Sequence, residues 1–125
     1  MITGGQGANG ARVLVISGDD FLAEAIAHAL RNDNHVVERT GSWRSAERLL
    51  PELRPQLLVI DAESEGVDER PVVDRVRIVT DLPLVVLSPS AQLENRLVAL
   101  RAGADEVMAK PFVLSELACK VTALT

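Results

Sequence analysis

The sequence predicts one α/β domain built on a central parallel sheet with helices on both faces. Three observations lead there. Val13-Leu14-Val15-Ile16, Leu57-Leu58-Val59-Ile60 and Leu84-Val85-Val86-Leu87 are runs of strand length without a polar residue, as strands buried on both faces require. Segments with apolar residues at helical spacing separate the runs, so the strands must pair in parallel through right-handed crossovers. The 125 residues, 47% apolar and 25% charged, have the length and balance of a single globular domain.

Taken in order, residues 1–11 contain Gly4, Gly5, Gly7 and Gly10 and read as a flexible tail ahead of a domain over residues 12–125. Gly5 to Gly10 spells GxGxxG, but a dinucleotide loop follows a strand and opens a helix, and this one precedes the first strand. After the strand at 13–16, Leu22, Ala25, Ile26, Ala29 and Leu30 mark a helix with Asp19 or Asp20 as N-cap. Residues 35–39 read as a weaker strand, and 43–50 as a short helix capped by Ser42 and closed by a turn between Pro51 and Pro55. The third strand at 57–60 leads into a polar loop, 61–70, and a helix over 72–77. The fourth strand, 84–87, precedes a helix over 91–101 that Gly103 ends. A short strand at 106–108 and a helix over 113–123, with Leu114, Leu117, Ala118 and Val121 on one face, complete the pattern.

Composition excludes several classes. No apolar run approaches the roughly 18 residues that span a bilayer, and the uncharged N-terminus is no secretory signal. The single Cys119 builds neither a disulfide nor a cysteine-based zinc site, which reads as a cytoplasmic protein. His28 and His35 lack spaced partners for a metal and read as solvent-exposed, while Trp43 reads as packing. Thirteen basic against eighteen acidic residues give a net charge of −5. With Phe21, Trp43 and Phe112 as the only aromatics, this domain alone is no nucleic-acid binder.

In an open parallel sheet, chemistry gathers where the carboxyl ends of the strands converge on a crevice. The first strand ends in Ser17-Gly18-Asp19-Asp20, the third in Asp61, the fourth in Ser88, and the fifth runs into Lys110-Pro111. A carboxylate that can accept a phosphoryl group, an ammonium that can neutralise it and a hydroxyl that can donate to it form an anion-handling set.

Over residues 12–124 the chain resembles the receiver domain of two-component response regulators. Pro55-Gln56-Leu57-Leu58-Val59-Ile60-Asp61 resembles the family's segment ending in the phosphoacceptor aspartate. Leu84-Val85-Val86-Leu87-Ser88 resembles the strand ending in its switch hydroxyl, and Gly103-Ala104-Asp105-Glu106 with Lys110-Pro111-Phe112 resembles the last strand with its lysine and cis-proline. The resemblance implies a flavodoxin-like three-layer (βα)5 sandwich with strand order 2-1-3-4-5, and a signalling role without enzyme activity. It implies Asp61 as phosphoacceptor or its remnant, Ser88 and Lys110 in the pocket, Pro111 in cis and a sensor histidine kinase as a possible partner. Lys110-Pro111-Phe112, Glu116-Leu117, Lys120-Val121 and Ala123-Leu124 are similar to winged-helix transcription regulators of the OmpR/PhoB type. That similarity implies control of transcription through a DNA-binding domain outside these residues. It also implies a homodimer through the fourth helix, fifth strand and fifth helix, with Arg101, Asp105, Glu116 and Lys120 as polar contacts.

Against the family pattern, two adjacent carboxylates should follow the first strand. Hydrophobic phase sets the register: with Ser17-Gly18 in the pair's place, Leu22, Ile26 and Leu30 fall on the buried face, whereas the alternative puts Glu24 there. Asp19-Asp20 then start and cap the helix. The pocket keeps Asp61 and Lys110, near neutrality, where the usual three carboxylates and one lysine need Mg²⁺. The expectation is an Asp61–Lys110 ion pair without metal, no cofactor, and only weak metal candidates in Asp61, Glu63 and Asp19. Val107 stands where the family has an aromatic switch residue, and Glu65 replaces a loop proline.

The reading is an atypical receiver, phosphorylated weakly or not at all, that signals by protein contact and dimerisation. Its alternatives are a conventional Mg²⁺-dependent phosphoacceptor at Asp61 and a small-molecule regulatory module using the same crevice. A flavin carrier would need a hydroxyl-rich phosphate loop after the first strand and stacking aromatics; the sequence has neither.

Overall fold

The computed structural model describes residues 10–125. Its strands are β1 (Arg12–Ile16), β2 (Val36–Thr40), β3 (Leu57–Asp61), β4 (Leu84–Ser88) and β5 (Glu106–Ala109). Its helices are α1 (Asp20–Asn32), α2 (Trp43–Leu53), α3 (Glu69–Val79), α4 (Leu93–Ala102) and α5 (Leu114–Leu124), with a 3₁₀ turn over Ala62–Glu65. All strand pairs are parallel, in the order β2-β1-β3-β4-β5. The expected strand order is thus present. Among the described residues, no helix is long and apolar enough to cross a membrane. The tail and its GxGxxG pattern lie largely outside the described residues, although Ala11 is already buried.

Strand periodicity divides the core into two layers. Val13, Val15, Leu57, Val59, Val85 and Leu87 point to one face, where Ile26, Leu30, Leu117 and Val121 of α1 and α5 cover them. Leu14, Ile16, Leu58, Ile60, Leu84 and Val86 point to the other, under Trp43, Val72, Val73, Val76 and Ala99 of α2, α3 and α4. Each fully buried Val, Leu or Ile contributes about 1.5–3 kcal/mol relative to exposure. Two-sided burial is therefore what fixes β1, β3 and β4 as the central strands. Trp43 packs in this second layer, as its place at a helix start suggested.

Three local expectations need correction. First, α2 does not stop at Leu50 but continues through Pro51 to Leu53, with Arg54 closing it in a left-handed conformation. A proline removes one main-chain donor; here it does so in the last turn, at an exposed position, while the Arg54 amide still reaches Leu50 O at 2.9 Å. Second, the polar stretch after Asp61 is no open loop: it forms the 3₁₀ turn, and α3 begins at Glu69 rather than Val72. Third, His35 is buried, not solvent-exposed. Its Nδ1 accepts the Ala11 amide at 3.0 Å, so the ring proton sits on Nε2, 3.0 Å from Thr122 Oγ1.

At the amino ends of the strands one guanidinium joins three segments. Arg77 donates through Nε and Nη2 to Gly103 O (2.9 and 2.7 Å) and through Nη1 to Leu82 O (2.7 Å) and Thr80 O (3.2 Å). Its Nη2 also lies 3.0 Å from Asp105 Oδ2, which takes the Leu84 amide at 2.8 Å. Gly103 sits at φ 124°, in the region that favours glycine, which lets its carbonyl meet Arg77.

Candidate functional site

The carboxyl ends of β1, β3, β4 and β5 bring Ser17, Asp61, Ser88 and Lys110 to the same edge of the sheet. Asp61 is the last residue of β3 and only 1% exposed. Lys110 follows β5, and the peptide bond to Pro111 is cis. Lys110 Nζ lies 2.8 Å from Asp61 Oδ1 and 3.0 Å from Glu63 Oε1. Asp61 Oδ1 takes no aligned hydrogen bond, and the ammonium is its polar contact. The other oxygen, Oδ2, accepts from Ser17 Oγ at 2.9 Å, and Ser17 Oγ in turn accepts the Asp19 amide at 3.1 Å.

The acidic residues after β1 have other polar partners. Asp19 Oδ1 accepts the Leu22 amide at 3.1 Å and caps α1, satisfying one of the open donors at a helix start. Asp20 is exposed, and its Oδ1 lies 3.5 Å from Arg39 Nη2. Gly18 has no left-handed φ, and a Cβ there would meet Gly41 O at 3.4 Å and Ser64 Cβ at 3.5 Å.

Two glutamates change the expected charge count. Glu63 shares Lys110 with Asp61, so two carboxylates surround one ammonium. Glu65, in place of the expected loop proline, accepts the Trp43 amide at 3.0 Å and thereby caps α2 from the neighbouring turn. A hard divalent cation wants about six oxygen ligands. Here Gly18 supplies no side-chain oxygen, Asp19 caps its helix, Glu63 is bound to Lys110, and no three His, Cys, Asp or Glu side chains converge among the described residues.

The Lys110 pKa is raised above its ordinary value of 10.5: burial pulls it down, but the close contacts and charges of Asp61 and Glu63 outweigh that. A raised folded-state value means the ammonium stabilises the fold fully below pH 10.5 and ceases to do so as pH climbs through the folded value. Urea unfolding between pH 9 and about 12 should therefore lose stability in the wild type and lose less in Lys110→Met.

Sequence reasoning missed Glu69. It is buried at the first turn of α3, and its Oε2 accepts from the hydroxyl of Ser88, itself 0% exposed. The signal was hidden because the carboxylate sits in a polar, aperiodic stretch. The remaining candidates are dispersed. Val107 is buried among the second core layer with Val86, Ala99 and Ala104. Asp105 is held by Arg77 and the Leu84 amide, so it is engaged within the chain rather than free for a partner. Lys120 pairs with Glu106 at 3.2 Å and not with Glu116 one turn away. Arg101 and Glu116 are exposed.

A parallel sheet in this order, with an aspartate, a hydroxyl and a lysine at its carboxyl edge, defines a signalling receiver. Residues 13–122 match the family model of the response regulator receiver domain, and the chain belongs to that family. It is 34% identical over 119 residues to the transcriptional regulatory protein PrrA of Mycobacterium leprae, covering 94% of this chain and 51% of that protein. It is 32% identical over 114 residues to the response regulator MprA of Mycolicibacterium vanbaalenii, covering 90% and 49%. A crystal structure of a putative response regulator from Chloroflexus aurantiacus superposes with a TM-score of 0.80 at 27% identity, covering 92% of this chain and 97% of that one. The chain spans about half the length of the curated relatives it matches.

Proposed function

We propose that this receiver works with little or no phosphorylation of Asp61 and signals by protein contact, including self-association, to a DNA-binding domain elsewhere in the full-length protein. One observation carries the reading: both oxygens of Asp61 are already engaged, by Ser17 Oγ and by Lys110 Nζ, while Asp19 and Asp20 are turned to the start of α1 and to Arg39. Lys110 supplies one positive charge beside Asp61 where a divalent ion would otherwise supply two, and it shares that charge with Glu63. The exposed Arg101 and Glu116 leave the α4-β5-α5 face two polar groups for a second copy, whereas Asp105 is committed within the fold. The names of PrrA as a transcriptional regulatory protein and of MprA as a response regulator support placing the output in transcription.

A conventional Mg²⁺-dependent phosphoacceptor is the second reading, favoured by the retained Asp61, Ser88 and Lys110 at the strand ends. Titration with MgCl₂, followed through the amide resonances around Asp61, separates the two. The proposal expects no saturable shift through millimolar Mg²⁺. Saturable binding that Asp61→Asn abolishes would overturn it.

A further inference from the structure

We propose that Glu69 is a positioning residue, a latch that holds the Ser88 hydroxyl on α3 and away from Asp61. The inference deepens the proposed function, on which it rests: it assigns a further reason why Asp61 takes little phosphoryl group, the withholding of the nearby hydroxyl. A serine hydroxyl has one proton to give. Ser88 Oγ donates it to Glu69 Oε2, and its lone pair takes the Ser90 amide at 3.1 Å. Its one alternative acceptor is Ser90 O at 3.2 Å. No proton is left for an oxygen on Asp61.

The pair is built into the fold rather than lying on it. Ser88 is the last residue of β4, beside β3, where Asp61 pairs with Leu87 in register. Ser88 thus follows the residue paired with Asp61 on the neighbouring strand. Glu69 comes from a different element, is 7% exposed, and has no Lys, Arg or His within ion-pair distance among the described residues. Its position in the first turn of α3 places a negative charge where the helix dipole favours one, which accounts for a carboxylate being tolerated there. If Ser88 turned to an anion on Asp61, it would leave that carboxylate buried without its donor, and an unpaired buried charge is costly. The orientation of Ser88 is therefore set by α3, and movement of α3 releases it.

The test reads the χ1 rotamer of Ser88 from scalar couplings in solution, which requires neither phosphoryl group nor metal. Failure here is thus distinct from failure of the proposed function. The expected result is one rotamer in the wild type and in Glu69→Gln, whose amide oxygen still accepts. In Glu69→Ala and in the shortened Glu69→Asp the rotamer ratio should shift about tenfold or more, in keeping with loss of one charge-assisted hydrogen bond. An averaged rotamer in the wild type, or an unchanged one in both shortened variants, would overturn the latch. A second arm follows labelling of Asp61 by acetyl phosphate. Glu69→Ala should exceed its parent about tenfold, and should not do so once Ser88→Ala is added. An equal gain with and without Ser88 would mean that the charge of Glu69 matters and the latch does not.

Discussion

Wild-type protein incubated with acetyl phosphate and Mg²⁺ will gain little label at Asp61, and the double variant Ser17→Asp with Gly18→Asp will gain it on the order of a thousandfold faster. Transfer to a carboxylate needs charge on the equatorial oxygens of the phosphoryl group to be stabilised, and a bridging metal ordinarily does this. The crevice offers one ammonium, already divided between Asp61 and Glu63, and a Ser88 hydroxyl committed to Glu69. Losing a metal's contribution costs several kcal/mol of transition-state stabilisation, which is the source of the factor. The substitution at Gly18 is sterically open. Its backbone is not left-handed, and the nearest atoms to a new Cβ are at ordinary van der Waals distance, 3.4 and 3.5 Å. The new carboxylate at position 17 would be buried beside Asp61, so the variant should also be less stable without Mg²⁺ and regain stability with it. Phosphate-affinity electrophoresis of wild type, double variant and Asp61→Asn, with thermal melts at two Mg²⁺ concentrations, measures both. Prompt Mg²⁺-dependent labelling of the wild type would establish the conventional phosphoacceptor instead.

Arg77→Ala will lower the unfolding free energy by about 3 kcal/mol, the largest loss expected from any single polar side chain outside the crevice. The side chain is 19% exposed, and its guanidinium satisfies the carbonyls of Thr80, Leu82 and Gly103 together with the carboxylate of Asp105. Truncation orphans all of them at once, and partial access of water recovers only part of the loss. Arg77→Lys should restore less than half, because a point charge cannot reproduce a planar fork that serves separated acceptors. Urea midpoints at unchanged slope report this; a shift below about 1 kcal/mol would show that water replaces the guanidinium effectively.

Most of the architecture was legible because it rests on one-dimensional signals. Short apolar runs bounded by turn residues and separated by segments of helical spacing read as strands covered on both sides, and once β1, β3 and β4 are central, the residues that follow them share an edge. The strand pattern alone therefore puts Asp61, Ser88 and Lys110 at one end of the sheet. What stayed hidden depends on side-chain direction beyond the strand ends. Glu63 and Glu65 are two residues apart in one 3₁₀ turn, yet one turns to Lys110 and the other to the Trp43 amide. Glu69 is polar in a polar stretch, so no periodicity marks it as buried. His35 had no partner nearby in sequence because its partners lie 24 and 87 residues away. Pro51 argued for an end to α2, but an exposed place in the last turn let the helix continue.

The imidazole of His35 has a geometrical consequence for how this module can be wired to others. It touches Ala11 with one nitrogen and Thr122 with the other, each at 3.0 Å, so the segment before β1 and the last turn of α5 are joined through one ring. Both are at the amino end of the sheet, because α5 starts beyond β5 and runs back along its 11 residues, about 16 Å. Anything spliced onto either side of the module therefore hangs at the pole opposite Asp61. A neighbour joined at that pole would reach the crevice only by folding back along the length of α5. The same proximity makes the domain a natural cassette: a circularly permuted chain, with a few residues bridging the two points and new ends opened at an exposed loop, should keep the sheet intact.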